Sequence, residues 1–320
     1  MTKIGSADNI KAVKDMDNGF LLPDGITVGQ ADDGHTGVTC ILAGHAVGGV
    51  SVRGGAPGTR ETDMLRADKS QGHVDAIVLS GGSAYGLEAA CGVVEYLRER
   101  GEGFRIGDKV VPLVAQAILY DLGGAGYRYP DKAMGRRAAE AASTEVAFGK
   151  VGAGTGATVG KLLGEQAASR GGIGGATLHF GDAFVSAIVA VNALGDVYDH
   201  RTGEVLAGAR TPDGKYFDTA ARLTDGTLER LLRASIVGGT NTTIGCVMTN
   251  AALDKAQVNK LAAAAHDGYA MSIRPVHTDA DGDTVFALAK GDKKADLNIL
   301  MALAAESTAF AIENAVRSAR

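Results

Sequence analysis

The sequence predicts a large protein of mixed α and β structure, and three observations carry that expectation. Near-continuous apolar runs of strand length, Val74–Ser80 and Ala183–Asn192, suit strands covered on both faces. Segments with helical spacing stand between and after such runs. The 320 residues include 46 glycines and only 6 prolines, a composition that suits many tight turns and close backbone approaches. The length is compatible with two domains or one large layered one. A hydrophobic content of 45%, 22% charged residues and a net charge of -5 describe a folded soluble protein, with no basic excess for nucleic acid. Trp is absent and aromatics make up 5%, so Ala, Val, Leu and Ile must fill the core. Cys40, Cys91 and Cys246 have neither disulfide nor zinc spacing, which fits a reducing cytoplasm. The polar start, Met1 to Gly19, has no apolar signal-peptide core, and the apolar stretch Ala183 to Gly195 is too short to span a bilayer; no membrane partner is expected.

Taken in order, Met1 to Thr27 reads as a lead-in. Thr36–Ala46 and Val47–Arg53 are β-branched runs split by glycine, which predicts a hairpin, and Gly54–Gly72 reads as a polar loop. Val74–Ser80 feeds Gly81-Gly82-Ser83-Ala84-Tyr85-Gly86 and then Leu87, Cys91, Val94 and Leu97 at helical spacing: a strand, a glycine turn and a helix. Val110–Leu122 is another apolar segment, with Tyr120 near its end, and Pro130–Ala142 predicts a short helix. A strand over Glu145–Val151 is expected to enter a second glycine cluster, Gly152 to Lys161. Leu223–Ser235 has the pattern of a charged amphipathic helix. Asp254 and Gln257 suit a capping box, with Val258, Leu261, Ala262 and Ala265 forming one helical face up to Gly268. A strand, Thr284–Ala289, and an Ala-rich helix, Leu297–Arg317, close the chain.

Two glycine turns invite a phosphate-binding reading, since helix N-termini after such turns hold phosphates. Gly81 to Gly86 lacks the GxGxxG order. The second cluster matches GxGxxA but lacks a clear following helix, and Gly160-Lys161 is followed by Leu162 where a P-loop needs Ser or Thr. Close packing is the better account of the glycines, and a solvated surface residue the plain account of Lys161.

Two other stretches hold chemistry. In Gly238 to Asn250, cleavage of Asn241-Thr242 would give Thr242 a free α-amine beside its own hydroxyl. Such an amine titrates near pH ~8 and takes the hydroxyl proton at neutral pH, so one residue supplies nucleophile and base. The same thirteen residues, taken alone, better fit a Gly-rich turn into a β-strand. Asp279, Asp281 and Asp283 alternate, which in extended chain points all three carboxylates to one face. An EF-hand would need Gly and Glu where Thr284 and Lys290 stand. Carboxylates held close share protons and suit general acid-base work, whereas a solvated acidic turn is the plain alternative.

Ser80–Leu87, Tyr129–Ala133, Gly152–Ala157, Asn241-Thr242-Thr243-Ile244 and His277–Thr284 together resemble the P1 family of self-processing peptidases. The family contains the L-aminopeptidase/D-amidases, the β-peptidyl aminopeptidases and the nylon-oligomer endo-hydrolase, and the motif spelling sides with the last. These motifs run from residue 80 to 284 in the family's order and so span most of the chain. The resemblance implies an α+β fold, a four-layer αββα sandwich of the Ntn-hydrolase type, as one domain cut into 1–241 and 242–320. It implies an amidohydrolase or peptidase with Thr242 as nucleophile, Asp281 and Asp283 as acid-base carboxylates, Lys161 tuning the nucleophile by its charge, and Asn192 and Tyr120 lining the site as oxyanion donors. No metal or other cofactor is implied. The substrate would be a small peptide or amide, and the assembly a homotetramer of cleaved heterodimers. Since the carboxylates are expected in a surface cleft, changing them should disturb chemistry more than folding. Ornithine acetyltransferases share the fold and self-cleave before Thr, but the His277–Thr284 signature argues against them.

Overall fold

The computed structural model describes residues 19–123, 126–222, 226 and 240–320. Its main sheet has nine strands: β1 (Thr27–Asp32), β2 (Gly37–Val52), β3 (Thr59–Arg60), β4 (His73–Ser80), β5 (Val114–Ile118), β6 (Gly172–Phe180), β7 (Ala183–Asn192), β8 (Thr242–Ala251) and β9 (Thr284–Lys293). The strand order is β6-β7-β8-β9-β2-β4-β5-β3, with β1 also paired to β2. The β8/β9 and β4/β5 pairs are parallel and the other pairs antiparallel. Among the described residues, four helices longer than two turns cover the sheet: α1 (Ala89–Glu99), α2 (Lys132–Glu140), α3 (Lys255–Ser272) and α4 (Leu297–Ser318).

Side-chain alternation along the strands builds the layers. On β7, Val185, Val189 and Val191 pack with Val258 of α3 and Ile312 of α4. The intervening Ile188 and Ala190 pack instead with Ile41, Ile77 and Leu79 from β2 and β4. Val38, Ala76 and Val78 face the other way, toward Val93 of α1 and Met134 of α2. Two halves of the sheet therefore pack face to face, with a helical layer outside each, in the order α-β-β-α. This is why the β4 and β7 sequences are apolar at nearly every position.

The predicted hairpin at 36–53 is instead the single sixteen-residue strand β2. Gly44 and His45 both take positive φ (55° and 64°), yet the strand continues. Leu42 faces Ala76 and Ala46 faces Val74, so the extra residues form a bulge, not a turn. The bulge carries β2 from one half of the sheet to the other: residues 38–42 pair with β4, while 47–52 pair with β9.

Other elements lie close to the sequence reading. The capping box is formed, with Asp254 accepting from Gln257 N at 2.8 Å and Gln257 accepting from Asp254 N at 2.9 Å. The helix runs past Gly268 to Ser272 because that glycine lies against α4. The polar loop 54–72 contains β3 and a short helix, Thr62–Leu65. Residues 145–151 form no strand; they pair with β6 at one bridge, Gly149 to Ile173, and lay the Phe148 ring against Gly175. The second glycine cluster holds a 3-10 turn, Gly152–Gly154, and a two-residue strand, Thr158–Val159, paired with Ser169–Arg170; a Cβ on Gly154 would strike Ile173 N at 2.2 Å, so packing explains that glycine. The predicted helix Leu223–Ser235 falls outside the described residues except for Gly226. The helix α4 is long and apolar enough, by length and composition, to cross a membrane, but most of that stretch is buried in the fold.

The α3/α4 contact gives a stability prediction. A Cβ on Gly268 would lie 2.3 Å from Ala305 O and 2.7 Å from Thr308 Cβ. Alanine gains about 1 kcal/mol in helix propensity, while overpacking costs about 1–3 kcal/mol. Because the obstacle is backbone, overpacking should win and Gly268→Ala should lower the thermal midpoint. A midpoint at or above that of the wild type would show that the two helices separate freely.

Candidate active site

The site forms where β7 ends and where β8 and β9 begin. Asn192 and Thr242 are the last antiparallel partners of β7 and β8. On the other side, Ile244 faces Thr284 and Asn241 faces Asp281, so one 40-residue parallel offset runs through both contacts. That register puts Thr242 between the positions of Asp281 and Asp283, level with Gly282. Asn192, Thr242, Asp281 and Asp283 are 0, 2, 2 and 1% exposed.

Thr242 Oγ1 donates to the carbonyl oxygen of its predecessor, Asn241. The same oxygen accepts Gly282 N–H at 2.9 Å. Asp283 accepts from Thr243 N (2.7 Å) through one carboxylate oxygen. Its other oxygen accepts His277 N (3.1 Å) and lies 2.8 Å from His277 Nδ1. Asp281 accepts from Thr278 N (2.9 Å) and Thr278 Oγ1 (2.6 Å). Burial first, and the Asp283 charge second, push the Asp281 carboxyl up to about 6.

Lys161 is no solvated lysine. Its Nζ donates to Asn192 O (3.0 Å), Asn192 Oδ1 (2.8 Å) and Thr240 O (2.9 Å), which uses all three ammonium hydrogens. Its own N–H bonds Leu194 O, fixing the turn beside the end of β7. Burial lowers it to about 7, against the pull of the Glu165, Asp281 and Asp121 charges. Asn192 accepts Thr158 N at 3.0 Å and donates to Tyr120 O (2.9 Å) and Thr240 O (3.3 Å). Its donors thus meet the carbonyls of residues 120 and 240. Tyr120 lines a cleft of about 580 Å³ together with Asp121, Thr158 and Lys161.

Two expectations need correction. Asp279 does not share a face with the other two acids, because a turn closed by Asp281 N to Thr278 O sends it into solvent. Asp281 and Asp283 are not surface-cleft groups: their carboxylates tie buried backbone, so folding depends on them too. Sequence reasoning also gave no role to His277, which has positive φ (56°) and braces Asp283. Its ring packs against those of His266 and Tyr269. The contact spans six residues across a turn, and no periodicity announces it.

Residues 24–320 match the model of Peptidase family S58. The chain belongs to peptidase family S58. A protein of Mycobacterium tuberculosis named as an uncharacterized aminopeptidase is 43% identical over 270 residues, 80% of this chain and 73% of that protein. The 6-aminohexanoate-oligomer endohydrolase of Paenarthrobacter ureafaciens is 35% identical over 277 residues, 82% of this chain and 72% of that protein. Among solved structures, the L-aminopeptidase D-Ala-esterase/amidase from Ochrobactrum anthropi, described as a variant of the Ntn hydrolase fold, matches with a TM-score of 0.67 at 19% identity. The match covers 94% of this chain and 88% of that one. The β-aminopeptidase of a Burkholderia species gives a TM-score of 0.65 at 22% identity, covering 93% of this chain and 86% of that one. The S58 chain is thus a hydrolase acting on amide bonds, with the four-layer αββα fold of the Ntn hydrolases.

Two stability predictions follow from the carboxylates. Asp283→Ala leaves the Thr243 and His277 N–H groups without their acceptor, at about 1–3 kcal/mol each. Chemical denaturation should show a loss of that order, and an unchanged midpoint would refute the bracing role. For Asp281 the folded chain holds its proton more tightly than the unfolded chain, where the carboxyl titrates near 3.8. Its contribution to stability is therefore full below pH ~4 and lost as pH rises to about 6. Asp281→Asn should gain stability relative to wild type across that window and hold the gain above it; a difference independent of pH would contradict the raised value.

Proposed function

We propose that this S58 hydrolase cuts itself between Asn241 and Thr242 and then uses Thr242 as an N-terminal nucleophile on short peptides or amide oligomers. One observation carries the reading: the Thr242 hydroxyl is buried against the carbonyl of the peptide bond it would break. Attack of Oγ on that carbonyl breaks the C–N bond, giving an ester and the free Thr242 amine, and water then opens the ester to release the Asn241 carboxylate and restore the hydroxyl. The freed residue then attacks a substrate amide and forms an acyl-enzyme, which water hydrolyses.

The surrounding groups support these roles. Lys161, close to Thr240 and Asn192, adds positive charge that lowers the proton affinity of the amine or hydroxyl. Asp281, held up to about 6, is poised to take and return protons near neutral pH, with Asp283 holding the strand that carries Thr242. Once the cut releases Thr240, the Asn192 amide can turn to a substrate oxyanion, with Tyr120 at the cleft wall. The names of the relatives point to two substrate classes, aminoacyl peptides and 6-aminohexanoate oligomers. Turnover of aminoacyl p-nitroanilides, β-dipeptides and 6-aminohexanoate oligomers by the purified enzyme separates them. We further propose a cytoplasmic homotetramer of cleaved heterodimers.

The cut is tested by mass spectrometry. Wild type should yield fragments 1–241 and 242–320, and Thr242→Ser should cut as well, since it keeps the hydroxyl. Thr242→Ala should stay whole and inactive, while Thr243→Ala should still cut. Cutting by Thr242→Ala but not by Thr243→Ala would move the nucleophile by one residue, and wild type that stays whole would remove the self-processing reading.

A further inference from the structure

We infer that the peptide N–H of Gly282 is the oxyanion donor of the self-cleavage step, an assignment that rests on the cut at Asn241-Thr242 proposed above. When Thr242 Oγ bonds to the Asn241 carbonyl carbon, the carbonyl π pair moves onto its oxygen, which becomes an alkoxide. The hydroxyl proton is transferred to the Thr242 nitrogen. Collapse of the intermediate then breaks the C–N bond, leaving an ester on Oγ and a free amine; water adds to the ester to release the Asn241 carboxylate. The charge to be stabilised therefore develops on the Asn241 oxygen.

Among the described residues, the hydrogen bonds to that oxygen come from Thr242 Oγ1 and Gly282 N. The threonine hydroxyl is the attacking group and gives up its proton, so it cannot remain the donor. Lys161 Nζ and Asn192 Nδ2 point at Thr240 O, one residue upstream. The Gly282 N–H, at 2.9 Å, is left to meet the alkoxide.

It is also held in place before reaction, as such a donor must be. On either side of it, Ala56 N donates to Asp281 O (2.8 Å) and Arg53 N to Asp283 O (3.0 Å). Asp283 in turn grips Thr243 N at 2.7 Å, so donor and scissile bond belong to one network. The residue type fits as well. A Cβ at position 282 would sit 2.8 Å from Thr242 Oγ1 and 3.2 Å from its Cγ2, so a side chain there would crowd the nucleophile.

The test replaces Gly282 in the full chain by glycolic acid through nonsense suppression, which exchanges the N–H for an ester oxygen and adds no bulk. Cutting is followed on denaturing gels from the time of synthesis. The inference expects uncut chain to persist, with a rate lower by about 10² to 10³, the usual loss for one oxyanion donor. Cutting within threefold of wild type would overturn it while leaving the self-cleavage reading intact; wild type that never cuts would remove the reading itself. Should the ester chain fail to fold, the Asn241 carbonyl is labelled with ¹³C in Thr242→Ala and its infrared band measured. A band lowered as in a strongly hydrogen-bonded amide supports the donor, and one at the position of an unbonded carbonyl overturns it.

Discussion

The site depends on the parallel pairing that joins residues 241–249 to 281–289 with one constant offset. A parallel pair is in register only if both strands are held from outside, because no tight turn connects them. Here the holders are β7, which ends on Asn192 opposite Thr242, and β2, which pairs with β9 from Val47 to Val52. A slip of one residue would exchange the faces of every side chain, burying the wrong set on both sides. The packing of two apolar faces thus fixes which carbonyl lies beside Gly282, so the core sets the geometry of the candidate site.

Burial acts on the charged groups of this site in opposite senses. It lowers Lys161 toward 7 and raises Asp281 toward 6, so both titrate near neutrality where their ordinary values are far apart. Each is then partly restored: the lysine by nearby carboxylates, and the aspartate by donors from Thr278. A fully exposed lysine and aspartate would keep affinities several decades from neutrality and would exchange protons there much less readily. Desolvation is costly for each ion, and the close hydrogen bonding of both groups offsets it.

Much of this arrangement was legible in the sequence. The apolar runs of β4 and β7, the Asp254 capping box and the helix after Gly86 all announce themselves, because local propensity and burial agree there. The family motifs located Thr242, Lys161, Asn192, Asp281 and Asp283, which the structure brings to one place. What escaped is non-local or depends on backbone geometry. The Gly44-His45 bulge uses positive φ, like a turn, and only the continued pairing of β2 on both sides distinguishes it. Asp279 looked equivalent to Asp281 because alternation assumes extended chain, and the turn at Thr278 breaks it. His277 and the Gly282 N–H carry no signal in spacing, since a backbone donor has no side chain to read.

The placement of these groups also separates chemistry from selection. Thr242, Asn192 and Asp283 sit on strand ends or next to them, locked by ladder bonds and by neighbours buried on both faces. The cleft wall is of another kind: Tyr120, Asp121, Lys150, Glu165 and Arg170 stand outside the nine-stranded sheet, on connecting segments and a two-residue strand. Substitutions on such segments alter shape and charge without disturbing the register of the sheet. A change of wall can therefore alter the cleft beside Lys161 while the register that places Thr242, Asp281 and Asp283 stays as it is. The sheet holds the candidate residues where they are, and the loops shape the cleft beside them.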